Sequence, residues 1–298
     1  MGAAQNGQGN AATVAIVTVA YRSDAVLPAF LDSIAGSVSE PVSVVVVDNA
    51  PAVGDARRLA AGAGADYVAL DANPGYGGAI NTAVRTLPAS VEWVLVSNPD
   101  VVLGAGAVDA LLAAARANER VGSAGPTVLG GDGALYPSAR SVPSLRTGVG
   151  HAVFGRVWPS NPWSARYLGT RRASDGTADV GWLSGSCVLV RRAAFDEVRG
   201  FDEGYFMYFE DVDLGFRLGR AGYVNRFVPD AVVTHTGAHS TSGDESARMI
   251  QAHHDSAKRF LAQKYPGRVL APIRGMLGLG LDIRSAIARR ATARRVTR

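Results

Sequence analysis

The chain has a single cysteine, Cys187, among 298 residues. That excludes an intramolecular disulfide framework and a multi-cysteine metal site, and it is compatible with a reducing compartment. No hydrophobic run is long enough to cross a bilayer. A spanning helix needs about 18 uninterrupted apolar residues, and the nearest approach, the glycine-rich Leu270 to Leu281, is broken by Arg274. Met1 to Ala12 has neither the basic start nor the apolar centre of an export signal, so a disordered lead-in is expected over residues 1–12. Broadly distributed positive charge is missing too. The formal net charge is +4, yet Arg268 to Arg298 carries eight arginines against Asp282 alone, which leaves everything upstream slightly acidic. A basic face for nucleic acid is therefore not expected, and the positive charge belongs to the tail.

What is present is a regular alternation. Thr13 to Ala20, Val42 to Val47, Tyr67 to Leu70 and Val91 to Ser97 are short runs rich in β-branched residues, the signature of buried strands. Between them, Val26 to Val38, Asp55 to Ala63 and Tyr76 to Leu87 place apolar residues at helical spacing. Strand and helix in turn predict an α/β fold around a mostly parallel central sheet. Further on we expect a strand at Trp182 to Val190, a helix opening at Glu210, strands at Tyr223 to Val228 and Ala231 to His235, and a helix from about Glu245 to Tyr265. A basic helical tail follows over residues 266–298. The expected division is a domain over 13–265, with a ligand-binding half (13–130) and a catalytic half (131–265). Between Tyr136 and Asp179 the pattern loosens into Pro, Ser, Gly, Arg and Trp, including Trp158 and Trp163, far longer than an ordinary connection. A mobile lid is expected there.

Ligands of open α/β sheets bind beyond the carboxyl ends of the strands, and polar residues gather at those ends. Ala20 and Tyr21 close the first strand. Asp48-Asn49 closes the second, where a carboxylate can meet the edge of a base or simply form an Asx turn. Asn73-Pro74-Gly75-Tyr76-Gly77-Gly78 opens a helix, where the glycines allow close backbone approach and the helix N-terminus offers free N–H groups to an anion, although glycine runs are often mere turns. Asn98-Pro99-Asp100 places one carboxylate where a hard cation bridging phosphates can be held, although Asn-Pro is also a turn signal. Three carboxylates in four positions, Glu210, Asp211 and Asp213, repel one another unless a helix N-terminus, a cation or a proton is near. Glu210, Asp213 and Arg217 share a helix face, whereas Asp211 projects about 100° away and is free to act as a base. His235 ends a strand and either completes a metal site with Asp100 or is a structural histidine. Arg140 can grip a diphosphate, and Trp182 can stack on a sugar or pack in the core.

In order, Val17-Thr18-Val19-Ala20-Tyr21-Arg22, Val47-Asp48-Asn49, Asn73 to Gly78, Asn98-Pro99-Asp100, Gly185-Ser186-Cys187 and Phe206 to Leu214 resemble an inverting family-two glycosyltransferase of the A-type fold. Each piece is short, and their common order supplies the specificity. Tyr136 to Arg140, Trp158-Pro159, Asn161-Pro162-Trp163 and Gly181 to Cys187 are similar to members that transfer rhamnose to a polyprenyl-diphosphate N-acetylglucosamine. The resemblance implies dTDP-rhamnose as donor, Mg²⁺ or Mn²⁺ as cofactor, and a product that begins the arabinogalactan linker. It implies Asp211 as catalytic base and Ala20, Tyr21, Asp48, Asn73, Gly77, Asn98 and Asp100 on the donor. It places Arg140, Trp182, Gly185 and Glu210 on the acceptor, and Asp100 with His235 on the metal. One carboxylate stands where many members have two or three, which implies modest metal affinity.

The arginines of the tail, among Leu277, Leu279, Leu281 and Ile287, suit the anionic inner leaflet of a plasma membrane and a peripheral position on its cytoplasmic face. A homo-oligomer is left open. The alternatives are the same fold working on a galactofuranose or hexose nucleotide, and a nucleotide-sugar-binding module without turnover.

Overall fold

The computed structural model describes residues 12–145, 176–237 and 243–296, with side chains at 243–247, 283–284 and 286–296 left aside. Residues 1–11, Trp158, Trp163 and most of the 136–179 segment, for which a lead-in and a lid are expected, lie outside the described residues.

The β-branched runs form the centre of one large sheet. Strand β1 (Val14–Ala20) is buried along its whole length, as a parallel strand covered on both faces must be. It pairs in parallel with β2 (Val42–Asp48) and β4 (Trp93–Ser97), and β2 pairs in parallel with β3 (Asp66–Ala69). The crossovers are α1 (Leu27–Ser37), α2 (Ala56–Gly62) and α3 (Gly75–Thr86). Leu27, Phe30, Leu31 and Ile34 of α1 are buried at helical spacing, and a proline in its first turn fits where no intrahelical N–H bond is lost.

Beyond β4 come elements whose sequence signal was not read. These are β5 (Val101–Leu103), α4 (Ala107–Arg116), β6 (Val121–Gly130), β7 (Leu135–Tyr136), β8 (Ala139–Arg140) and β9 (Ala178–Val180). The expected strand Trp182 to Val190 is divided into β10 (Trp182–Leu183) and β11 (Cys187–Arg191). Ser184, Gly185 and Ser186 interrupt it, because β10 pairs with β8 in a separate two-stranded sheet while β11 enters the main one. Next come α5 (Arg192–Glu197) and α6 (Glu210–Arg220). The two strands expected at 223–235 are one, β12 (Val224–His235), with an irregularity between Val228 and Val232. The chain closes with α7 (Gly243–Lys264) and α8 (Ala271–Val296).

The sheet runs β3-β2-β1-β4-β11-β6-β12-β5. Strand β11 is antiparallel to β4 and β6, and β12 is parallel to β6. A single sheet therefore joins the two halves proposed from sequence. One face buries Ile16, Phe30, Trp93, Leu95 and Leu111, and the other buries Val17, Ile80, Phe195, Phe201, Leu214 and Phe227. A smaller cluster of Tyr205, Val212 and Phe260 ties α7 to α6.

Candidate active site

Parallel pairing sets strand ends level. Ala20 lies opposite Asp48, and Thr18 lies opposite Ser97, so the loops after β1, β2 and β4 share one edge of the sheet. Antiparallel β11 brings the Ser184-Gly185-Ser186 turn to the same edge, where the Asn98 N–H donates to the Ser186 carbonyl at 2.9 Å.

On the donor side, Tyr21 is exposed and the Ala20 carbonyl accepts the Asn49 N–H at 2.9 Å. Asp48 is tied down at this edge. It is 3% exposed, with one oxygen accepting from the Ala50 N–H at 2.8 Å and the other from the Tyr67 hydroxyl at 2.8 Å. The Asx turn is thus present, and any ligand must use a second lone pair on these oxygens. Asn73 accepts from Asn49 Nδ2 at 3.1 Å and from the Gly75 N–H at 2.9 Å.

The glycine motif differs most from its sequence reading. Gly75 has φ +83°, and a Cβ there would collide with the Phe206 carbonyl. At Gly77 a Cβ would lie 2.8 Å from the Phe201 Cβ. The close backbone approach is therefore made to the chain's own 201–206 segment, with the α-carbon of Gly77 against Phe201. Two first-turn amides of α3 are also engaged, Gly75 with Asn73 and Tyr76 with the Phe206 carbonyl at 3.2 Å.

The three carboxylates divide their tasks. Asp213 is the structural one: its oxygen accepts from Arg217 Nε at 2.6 Å, and Arg217 also donates to the Val198 carbonyl. Asp211 Oδ2 accepts from the Gly185 N–H at 3.0 Å, and Oδ1 from the Val212 N–H at 2.8 Å. Burial raises its carboxyl above the usual aspartate range, against the lowering effect of those donors. Glu210 is 7% exposed, and its buried Oε2 has no hydrogen-bond partner. Burial, with the adjacent Asp211 charge, pushes it up to about 8. Asp211 thus takes the first negative charge and Glu210 keeps its proton.

Two residues in the left-handed region, Tyr208 (φ +68°) and Phe209 (φ +66°), lead into Glu210. For non-glycine residues this costs about 1–2 kcal/mol each, and such strain gathers at functional sites. The His253 ring packs edge-on against Tyr208 and Phe209, and Ser256 donates to the Met207 carbonyl at 2.9 Å, so α7 holds the turn in place.

Asp100 Oδ1 and His235 Nε2 approach to 3.1 Å, and Asn98 Nδ2 lies 3.4 Å from the same ring nitrogen. Among the described residues no group of three or more His, Cys, Asp or Glu side chains comes together. A carboxylate oxygen and an imidazole nitrogen are donor types that Mg²⁺ or Mn²⁺ accepts, and here the two contact one another directly. Arg140 pairs in β8 with Trp182 in β10, and the buried Nε of Arg140 has no partner. Trp182 donates Nε1–H to the Ser141 carbonyl at 3.2 Å and packs its Cβ against Gly215.

Sequence reasoning omitted two tyrosines from the site. The Tyr76 hydroxyl donates to the Gly185 carbonyl at 2.7 Å, so Tyr76 and Asp211 grip opposite sides of one residue. Tyr136 lies near Asp211, Arg140 and Asp100, whose charges act on its hydroxyl, and its ring meets His235 at 5.7 Å. Both sit inside motifs already noted, but which ring faces the site depends on pairing that the sequence does not display.

A mostly parallel sheet with a held carboxylate and a carboxylate–imidazole pair at one edge has the architecture of the A-type glycosyltransferase fold. Solved structures of 19% and 17% identity share that fold. The mannosyltransferase PcManGT from Pyrobaculum calidifontis, in complex with GDP-Man and Mn²⁺, has a TM-score of 0.55 over 94% of this chain and 73% of that one. For S. aureus TarS the TM-score is 0.53 over 84% of this chain, which spans only 40% of TarS. The chain belongs to the "Glycosyltransferase like family 2", whose model matches residues 11–253. It is 44% identical, over 95% of both chains, to N-acetylglucosaminyl-diphospho-decaprenol L-rhamnosyltransferase of Mycobacterium tuberculosis. Over 85 residues, 28% of this chain and 32% of the relative, it is 42% identical to rhamnosyltransferase WbbL of Escherichia coli K12.

Proposed function

We propose that this glycosyltransferase moves L-rhamnose from dTDP-rhamnose to a polyprenyl-diphosphate N-acetylglucosamine with inversion at the anomeric carbon. The step belongs to assembly of the arabinogalactan linker of a cell wall, on the cytoplasmic face of the membrane. The observation that carries the chemistry is Asp211, a buried carboxylate with raised proton affinity, fixed by two backbone N–H groups at the sheet edge. Near-full-length identity to a transferase named for a rhamnose reaction on a decaprenol-linked acceptor supports the substrate class.

In the proposed step the acceptor hydroxyl gives its proton to Asp211 as its oxygen attacks the anomeric carbon, and the bond to the dTDP oxygen breaks on the opposite face. Gly185 and Val212 hold Asp211 in one orientation, so little reorganisation is left for the reaction itself. Asp100 and His235 would hold a divalent cation, which when bound offsets charge developing on the departing diphosphate. Arg140, with its buried unpartnered Nε, adds a forked cation to the same region. Glu210, kept protonated, can donate to an acceptor oxygen, and Asp48, Asn73 and Tyr21 line the donor edge.

The test is transfer from a panel of nucleotide sugars to polyprenyl-diphosphate N-acetylglucosamine, with Mg²⁺ or chelator, for wild type and Asp211→Asn. Rhamnose transfer is expected to need the cation and to fall about 10²–10⁴-fold in kcat in the variant, with donor binding retained. Transfer of a galactofuranose or hexose instead would discard the donor assignment, and an active Asp211→Asn protein would discard the base.

A further inference from the structure

The C-terminal hairpin leaves one apolar side uncovered. Helix α8 packs on α7, with Leu277 and Leu281 half-buried and Ser285 buried, the last donating to Gln251 at 3.3 Å. At 100° per residue these three lie on one side of α8. Ile273, Met276 and Leu279 fall in an arc of about 120° on the other. Ile273 is 37%, Met276 68% and Leu279 62% exposed, and Val269, in the short turn before the helix, is 90% exposed. Exposed apolar side chains gathered in this way mark an interaction surface.

The surrounding charge identifies the occupant. Arg268 is exposed beside Val269, and six further arginines follow Asp282 before the chain ends. The hairpin's two carboxylates nearest this region, Asp255 and Asp282, both converge on Lys258, at 2.8 and 2.6 Å. These two carboxylates are thus both paired with Lys258, and the sequence after Asp282 adds arginines and no further acidic residue. Arg274, which the sequence placed among the lipid-facing cations, instead caps the end of α7 by donating to the carbonyls of Tyr265 and Gly267. No described helix is long and apolar enough to cross a membrane.

We infer that the outer face of this hairpin, Val269, Ile273, Met276 and Leu279 with Arg268 beside them, is a docking surface for an anionic lipid bilayer, favoured by the basic sequence that follows Asp282. The apolar side chains enter the acyl boundary while the arginines meet anionic headgroups. Docking also aims the site. Helix α7 carries His253 and Phe260 against Phe209, and Phe209 immediately precedes Glu210 and Asp211. A hairpin seated on the membrane therefore fixes the height and tilt of the base relative to the lipid surface. The aiming role rests on the lipid-linked acceptor proposed above, whereas the docking itself does not.

The experiment is sedimentation of the full chain with phosphatidylcholine vesicles and with vesicles that also contain phosphatidylglycerol, at low and high salt. Wild type is expected to bind the anionic vesicles, less so at high salt, and the pure phosphatidylcholine vesicles weakly. Met276→Glu/Leu279→Glu is expected to weaken binding on the order of 10²-fold. Val269→Glu, outside the helix and almost fully exposed, should weaken it about tenfold without touching the packing against α7. Circular dichroism and transfer to a short-chain, water-soluble acceptor should be unchanged in all variants. Wild type that ignores anionic vesicles, or variants that bind as wild type does, would overturn the inference. So would sedimentation equilibrium showing that the same substitutions abolish a dimer while vesicle binding is absent. Failure of transfer with every donor, alongside intact vesicle binding, would instead count against the proposed reaction alone.

Discussion

Glu210→Gln isolates the energetic consequence of placing two acidic residues side by side in a buried site. In the folded protein Glu210 is pushed from 4.5 up to about 8 by burial and by the Asp211 charge. A carboxyl whose affinity for protons rises on folding stabilises the fold below its unfolded value, and that contribution is lost as pH climbs through the folded value. Wild type should therefore lose stability between about pH 4.5 and pH 8 relative to the glutamine variant, at up to about 1.4 kcal/mol per pH unit. Complete titration over that window corresponds to about 5 kcal/mol. Relaxation and water entry on ionisation reduce it, and we expect the variant to lead by at least about 2 kcal/mol at pH 8. Near pH 4.5 the two should be equal, since a neutral carboxyl and an amide of similar shape then occupy the site. Denaturant unfolding at pH 5, 6.5 and 8 measures the difference directly. In thermal melts about 2 °C of separation per kcal/mol is expected. Parallel stability curves across this range would refute the argument, because they would mean that Glu210 titrates alike folded and unfolded. A variant less stable at pH 8 would refute it more strongly, because the ionised carboxylate would then be the favoured form.

Tyr76→Phe removes the donor to the Gly185 carbonyl. It should lower kcat roughly tenfold through misplacement of Asp211 while leaving the donor KM near wild type, as steady-state kinetics at saturating acceptor will show. Gly77→Ala forces a Cβ to within 2.8 Å of Phe201 and should destabilise the fold by about 1–3 kcal/mol in urea unfolding, with donor affinity per folded molecule unchanged. A selective loss of donor affinity would instead point to a direct ligand contact at that glycine. Asp100→Asn should raise the Mn²⁺ concentration needed for half-maximal activity by at least tenfold, and calorimetric titration of Mn²⁺ with dTDP present should show the same weakening.

The alternation of β-branched runs with helical spacing made the first third readable, since parallel strands covered on both faces leave little room for polar residues inside them. Beyond Asp100 the reading faltered for a physical reason. Strand β6 carries Gly122, Gly125 and Pro126 and is still buried, so its place in the sheet comes from neighbours and not from propensity. The break at Ser184 to Ser186 was likewise hidden, because Trp182-Leu183 and Cys187-Val188-Leu189-Val190 are both good strand sequences. Only pairing with β8 on one side and with β4 and β6 on the other separates them.

The acidic motif shows where sequence reasoning on a site succeeds and where it stops. Helical geometry correctly joined Asp213 to Arg217 and set Asp211 apart, because three- and four-residue spacings on a helix are local facts. What makes Asp211 a candidate base is not local. Its donors come from its own helix start and from Gly185, which reaches it only because β11 runs antiparallel between β4 and β6. Its high proton affinity comes from burial under segments far away in the chain. The strained Tyr208-Phe209 pair follows the same logic: nothing in Phe-Met-Tyr-Phe announces left-handed backbone, and the packing of His253 and Ser256 from α7 accompanies it. The acidic residues of the candidate site are therefore legible in sequence while Tyr76 and Tyr136 are not, and the division between the carboxylate that carries the charge and the one that keeps a proton is decided by tertiary contacts. That division is the property that the Glu210→Gln stability difference reads.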